Sequence, residues 1–173
     1  MNRSYGTSID IPLIECINYK IGKYRIRWDF QSYEDGVSFM EEDILHKPTL
    51  QEVKDIVLGG INQQTDEAIL EGFKWKDMQV WLSSENQFNY KAAYDLAVQT
   101  NGATLPTVFK FGDTESPVYY KFDTLDDLHD FYTKAMTYIN EQLAIGWHKK
   151  DSIDWSAYEK ALKQPSGKLK LNL

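Results

Sequence analysis

GFKWKDMQVWLSSENQFNYKAAYDLA, residues 72–97, carries Phe73, Trp75, Trp81, Phe88, Tyr90 and Tyr94 in one short span. Phe73 and Trp75 alternate with Lys74 and Lys76, the period-2 pattern of a half-buried strand, and Lys76-Asp77 fits a two-residue connection into a returning strand, MQVWL. Ser84 with Gln87 then reads as a capping box, and a helix runs to Asn101-Gly102, where glycine suits the C′ position. The stretch is therefore a hairpin feeding a helix. Lys91, Asp95 and Gln99 form a narrow polar stripe on that helix, so the pattern predicts a central element covered on several sides. Trp75 and Phe88 are expected in the core, with Leu128 from a later helix. Trp81 is out of phase with Val80 and Leu82, and is expected either to lie under another element or to face a partner.

The same motif recurs on both sides. In YKIGKYRIRWDFQ, Tyr24, Ile26, Trp28 and Phe30 alternate with Arg25, Arg27 and Asp29, Asp35-Gly36 signals a turn, and Val37 and Phe39 share one face of the return. Thr49 with Glu52 caps a helix starting near residue 49, and Gly59-Gly60 leaves open whether residues 49–71 form one helix or two. TVFKFGDTESPVYYKF predicts a third hairpin, and Thr124 with Asp127 opens a helix whose stripe is Leu128, Phe131, Tyr132, Ala135, Ile139, Leu143 and Trp147. Three hairpin-helix units predict an α+β fold of antiparallel hairpins with helices packed on sheet. The expected division is an N-terminal segment and hairpin arm over 1–47, an α+β domain over 48–155 and a flexible tail over 156–173. A lone hairpin is marginal in water, so the arm is expected to join the main sheet and to offer an edge to a partner.

Composition narrows the function. The 173 residues carry a net charge of −7 and 42% hydrophobic residues, 14% of all residues being aromatic. A pI near 5.0 opposes a phosphate backbone, so nucleic acid is not an expected partner. The C-terminal lysines are interleaved with Asp151, Asp154 and Glu159, as on a solvated face. No apolar run approaches the roughly 20 residues of a membrane span, and Asp10, Pro12 and Glu15 interrupt the N-terminus, so neither membrane nor signal peptide is expected. The expected compartment is the cytoplasm of the bacterial host, unless the chain leaves on a virion.

Catalytic equipment is sparse. Cys16 has no histidine nearby and reads as a small buried hydrophobe. His46, His129 and His148 show no metal-ligand spacing, and there is no phosphate-binding loop or nucleophile elbow, so neither cofactor nor metal is expected. The pairs Glu41-Glu42, Asp66-Glu67 and Asp126-Asp127 leave a small hydrolase as one alternative, and exposed aromatics around Trp81 leave a carbohydrate-binding module as another.

The order VKDIVLGGINQQTDEAIL, GFKWKDMQVWL, ENQFNYKAAYDLA, TVFKFGDTESPVYYKFDTLDDLHDFYTKAMTYIN resembles a domain of unknown function found in bacteriophage and prophage tail genes, in or beside tail-fibre and fibre-assembly proteins. The resemblance covers about residues 48–150, and Trp75-Lys76-Asp77 stands where the family pattern has Trp-x-Gly. It implies a non-enzymatic tail-associated protein, a structural component or an accessory in fibre assembly, whose partner is a fibre or other tail protein or a second copy. No catalytic residue comes with it. The candidate partner-binding residues are Trp81, Tyr24 and Trp28.

Overall fold

The alternation beginning at Tyr24 does become a strand, but at the centre of a sheet larger than a hairpin. The computed structural model describes residues 2–7 and 11–163. The chain forms two compact units, Met1–Asn62 with His148–Leu173, and Gln63–Trp147, rather than an arm, a domain and a tail. The fold is α+β.

In the first unit, strands β1 (Asn2–Gly6), β2 (Ile14–Asn18), β3 (Lys23–Tyr33) and β4 (Gly36–Ile44) form an antiparallel sheet in the order β1-β4-β3-β2. The β3–β4 hairpin therefore has neighbours on both sides and forms its own sheet, with the second unit's hairpins in separate two-stranded sheets; the edges belong to β1 and β2, neither of them predicted. Ile26, Trp28 and Met40 on one face pack with Val53, Val57 and Ile61 of helix α1 (Leu50–Glu71) and with Tyr158 of helix α4 (Trp155–Lys163). Residues 156–163 are thus helix, not tail: Asp154 accepts from Ser156 N at 2.9 Å and Ala157 N at 3.3 Å, and Tyr158 Oη donates to Arg27 O at 2.8 Å. Residues 164–173 of the expected tail lie outside the described residues.

The opposite face is ionic. Arg25 stands across from Asp43 and Arg27 across from Glu41, so each cross-strand pair joins opposite charges. Arg27 is only 7% exposed; it donates to Glu41, Glu15 and Pro12 O, and its guanidinium lies 5.4 Å from the Phe39 ring centroid. Alternation breaks after Trp28. The register slips between Trp28 and Gln31, Asp29 takes φ 52, and the ring of Phe30 sits 5.4 Å from Phe39, so Phe30 leaves the face of Tyr24, Ile26 and Trp28.

α1 is one helix of 22 residues, continuous through Gly59 and Gly60. Thr49 and Glu52 form the expected box: Glu52 N donates to Thr49 Oγ1 at 3.2 Å and Thr49 N to Glu52 Oε2 at 2.8 Å.

In the second unit, β5 (Lys74–Trp75) and β6 (Met78–Gln79) form a minimal hairpin, helix α2 spans Ser84–Gln99, β7 (Thr107–Gly112) pairs with β8 (Pro117–Phe122), and helix α3 spans Leu125–Asp151. The hairpin-helix order is thus loosely kept. Lys76 and Asp77 have φ 48 and 62, the left-handed pair that a tight two-residue hairpin turn requires. Lys76 Nζ anchors the turn, donating to Asp127 Oδ1 at 2.6 Å and to Tyr120 Oη at 2.7 Å.

Trp75, 2% exposed, is the hub of this core. Its ring centroid lies 4.8 Å from Tyr120, 5.3 Å from Phe122 and Phe131 and 6.1 Å from Phe111, and its Nε1 donates to Asp130 at 3.0 Å. Leu128 is fully buried, as expected. Phe88 is not: it is 72% exposed. α2 is covered on one side only, through Tyr90 and Ala97, so it is not the central helix its composition suggests. Its cap is Ser83, whose hydroxyl accepts from Asn86 N, while the Gln87 side chain donates to Leu82 O at 2.6 Å. At the other end Asn101, not Gly102, takes C′ with φ 49, and Gly102 N donates to Ala97 O at 2.7 Å. Trp147 leaves the α3 stripe and is 58% exposed.

Candidate functional site

Trp81 follows β6 and precedes the α2 cap, and it is 37% exposed. Its backbone and its ring are both held: Asn86 Nδ2 donates to Trp81 O at 2.9 Å, and Trp81 Nε1 donates to Gly112 O at 3.1 Å. That carbonyl belongs to the residue ending β7, where φ is 80. The indole is therefore fixed by a bond between two short elements while part of its surface meets solvent. Beside it lies an open groove of about 560 Å³ lined by Glu71, Lys74, Asp77, Gln79, Asp113 and Ser116, among others. Asp113 Oδ1 accepts from Glu115 N at 3.0 Å and from Ser116 N, so the groove's far wall is an ordered turn. The Gln79 side chain donates to Phe73 O at 3.2 Å and to Glu71 O, which holds the near wall. Lining carboxylates outnumber lining cations, so the groove favours a neutral or cationic contact over an anionic one.

Tyr24 and Trp28, the other two candidates, belong to the first unit. Tyr24 is half-buried on β3, and Trp28 is 2% exposed, so neither presents the open surface expected of a partner contact. Side-chain burial on both faces of β3 is the reason: α1 and α4 cover one face, and the ion-pair face covers itself. Trp28 Nε1 is buried with no hydrogen-bond partner among the described residues.

The carboxylate pairs do structural work. Asp127 takes Lys76 and the Tyr120 hydroxyl, and Glu41 takes Arg25 and Arg27. The Arg25 hydrogen bond, with Lys23 beside it, holds the Asp43 carboxyl well below the usual carboxylate range. His46 lies 2.8 Å from Glu52, and Tyr94 Oη 2.7 Å from His129 Nδ1. Cys16 is half-buried on β2 rather than buried. Among the described residues no three His, Cys, Asp or Glu side chains group to hold a metal ion, and no helix is long and apolar enough to cross a membrane.

The feature that the sequence reading missed is the outer face of α2. Phe88, Ala92 and Leu96, four apart and so on one face, are all exposed, Phe88 by 72% and Leu96 by 50%. The i, i+4 spacing of these three apolar residues is legible in the sequence, but which apolar face of α2 is covered is not. No family model, curated protein or solved structure matches this chain.

Proposed function

We propose that the chain is a non-enzymatic interaction protein of bacteriophage or prophage tail type, a structural component or an accessory in fibre assembly that works through contacts with a tail-fibre or other tail protein. The observation that carries the contact is Trp81, a large amphipathic ring held by a hydrogen bond to Gly112 O and still partly open to solvent. Such a ring loses little conformational freedom on binding, which is why fixed aromatics serve as anchors at interfaces. The tail assignment rests on the resemblance over residues 48–150. The test is co-purification with the fibre and baseplate proteins encoded beside this gene, with captured chains identified by mass spectrometry. Capture of a tail protein that Trp81→Ala abolishes, with the variant's unfolding midpoint unchanged, supports the proposal. Capture that ignores Trp81→Ala, or no tail protein at all, counts against it.

A second reading is favoured by the polar walls of the same groove. Acceptors on Glu71, Asp77 and Asp113 and the ammonium donor of Lys74 stand beside an aromatic face, a combination suited to a neutral saccharide. Binding on a glycan array that is lost in Trp81→Ala would select this reading, and a blank array would remove it.

A further inference from the structure

We propose that the Trp81 groove recognises an arginine side chain of the partner protein, its guanidinium lying on the open part of the indole with its N–H edge turned to the lining carboxylates. The proposal rests on the reading of Trp81 as a protein contact and adds the chemistry of the group that meets it.

The hydrogen-bond inventory of the groove carries the argument. Two of its donors are already spent within the chain: Trp81 Nε1 on Gly112 O, and Gln79 Nε2 on Phe73 O and Glu71 O. Its acceptors are not. The side chains of Glu71 and Asp77 enter no hydrogen bond or ion pair among the described residues, and Asp113 commits only Oδ1, to the backbone N–H groups of Glu115 and Ser116. A group that fits this inventory brings donors and no acceptor, which among side chains describes arginine and lysine.

Charge points the same way. Three carboxylates line the groove against one ammonium, that of Lys74. Lys76, beside Asp77 in the chain, does not offset them, because Asp127 holds it at 2.6 Å. Glu115 adds another exposed carboxylate to the turn that begins at Asp113. A cation over an indole face is attracted by the ring as well as by these carboxylates. Arginine suits the site better than lysine, since a planar guanidinium stacks on the ring and keeps its edge donors for carboxylate oxygens, whereas an ammonium is a point charge.

The ring is held ready for that contact. Gly112 has φ 80, and a Cβ there would run into Ser116 O, so the turn that supplies the anchoring carbonyl closes only around glycine. Asp113 is the next residue after that carbonyl. The groove's volume of about 560 Å³ is that of a cleft holding a whole small ligand, so residues flanking the arginine enter with it.

The test uses the full chain, isotope-labelled for NMR, and two blocked peptides that alternate glycine with arginine or with citrulline, whose urea group keeps the planar shape and loses the charge. The Trp81 indole resonance is assigned by its loss in Trp81→Phe. The arginine peptide is expected to shift that resonance saturably and to bind at least about tenfold more tightly than the citrulline peptide, an advantage that about 0.5 M salt largely removes. Asp77→Asn combined with Asp113→Asn keeps the turn's acceptor and suits the positive φ at residue 77. It is expected to weaken the arginine peptide about tenfold and to leave the urea midpoint and the citrulline peptide unchanged. Equal binding of the two peptides, an unmoved Trp81 resonance at millimolar peptide, or arginine binding indifferent to the asparagine substitutions would each overturn the proposal. Should the double variant unfold, the peptide comparison and the salt titration on the unaltered chain decide. Capture of a tail protein that needs Trp81 but not these carboxylates would remove this inference and leave the proposed function standing; arginine-peptide binding with no tail protein captured would do the reverse.

Discussion

Trp75 and Phe88 are two aromatic residues of one short stretch whose fates the structure separates, and truncating each gives opposite outcomes. Trp75→Ala removes a side chain 2% exposed, with four ring neighbours within 6.1 Å and a hydrogen bond to Asp130. Truncation of a buried tryptophan costs about 3–5 kcal/mol, and the ring pairs, each worth about 0.5–1.5 kcal/mol, put this site at about 4–5. At about 0.05–0.15 kcal/mol per residue, residues 63–147 hold of order 4–13 kcal/mol, so the variant consumes a large fraction of that unit's stability. Phe88→Ala removes a ring already 72% exposed. The little apolar burial it loses, well under about 1 kcal/mol, is offset by the roughly 0.5 kcal/mol by which alanine exceeds phenylalanine as a helix former. Urea unfolding followed by far-ultraviolet circular dichroism does not depend on the tryptophan count and resolves both cases. Trp75→Phe, which keeps most of the packing, should fall between wild type and Trp75→Ala if the latter fails to fold. The reasoning is refuted if Trp75→Ala keeps the wild-type midpoint, or if Phe88→Ala loses more than about 2 kcal/mol.

Glycines in two helices should respond oppositely. Gly59 is exposed and a Cβ there would meet nothing within 4 Å, so Gly59→Ala is expected to raise stability by about 0.5–1 kcal/mol, whereas Gly146→Ala would drive a methyl into Thr65 and is expected to lower it, both read as urea midpoints. Arg27→Ala, which leaves Glu41 with only Arg25 and the Ser4 hydroxyl among its partners and uncovers Phe39, is expected to cost about 2–4 kcal/mol by the same assay, and Arg27→Met, which keeps the apolar stem, distinctly less. Acid should weaken the fold in a defined window. The Asp43 carboxyl is depressed by its Arg25 and Lys23 hydrogen bonds, and Glu52 is lowered to about 2 by Thr49 N–H, His46 and the Thr49 hydroxyl. A depressed folded pKa contributes stability that is present above the unfolded value near 4 and is lost as pH falls through the folded value, so midpoints should drop between about pH 5 and about pH 2. Asp43→Asn should show a shallower drop over the same range, and an equal drop would deny that the Arg25–Asp43 pair carries it.

Local chemistry by itself determined the elements whose signals are complete within a few residues. Lys76-Asp77 between alternating residues is a turn whichever core it serves, Thr49 with Glu52 and Thr124 with Asp127 satisfy their own helix ends, and the three hairpins and the helices after them follow from period and punctuation. The α+β class was therefore legible. Tertiary structure alone decided which side of each element is covered, because burial depends on neighbours distant in the chain. The aromatic positions of α2 are equally apolar on paper; Tyr90 is buried because Phe109, Phe111 and Phe131 meet it, and Phe88 is 72% exposed because no such group of rings among the described residues meets it. Trp28, a candidate contact on paper, is buried for the same reason, because α1 and α4 pack on its face, whereas Trp81 keeps part of its surface open. β1 and β2 were invisible because short edge strands take their structure from the neighbour they pair with, and α4 because its one buried residue, Tyr158, finds its acceptor on Arg27, 131 positions away. A pattern four residues long names an element, but only the packed chain says which face it leaves for a partner.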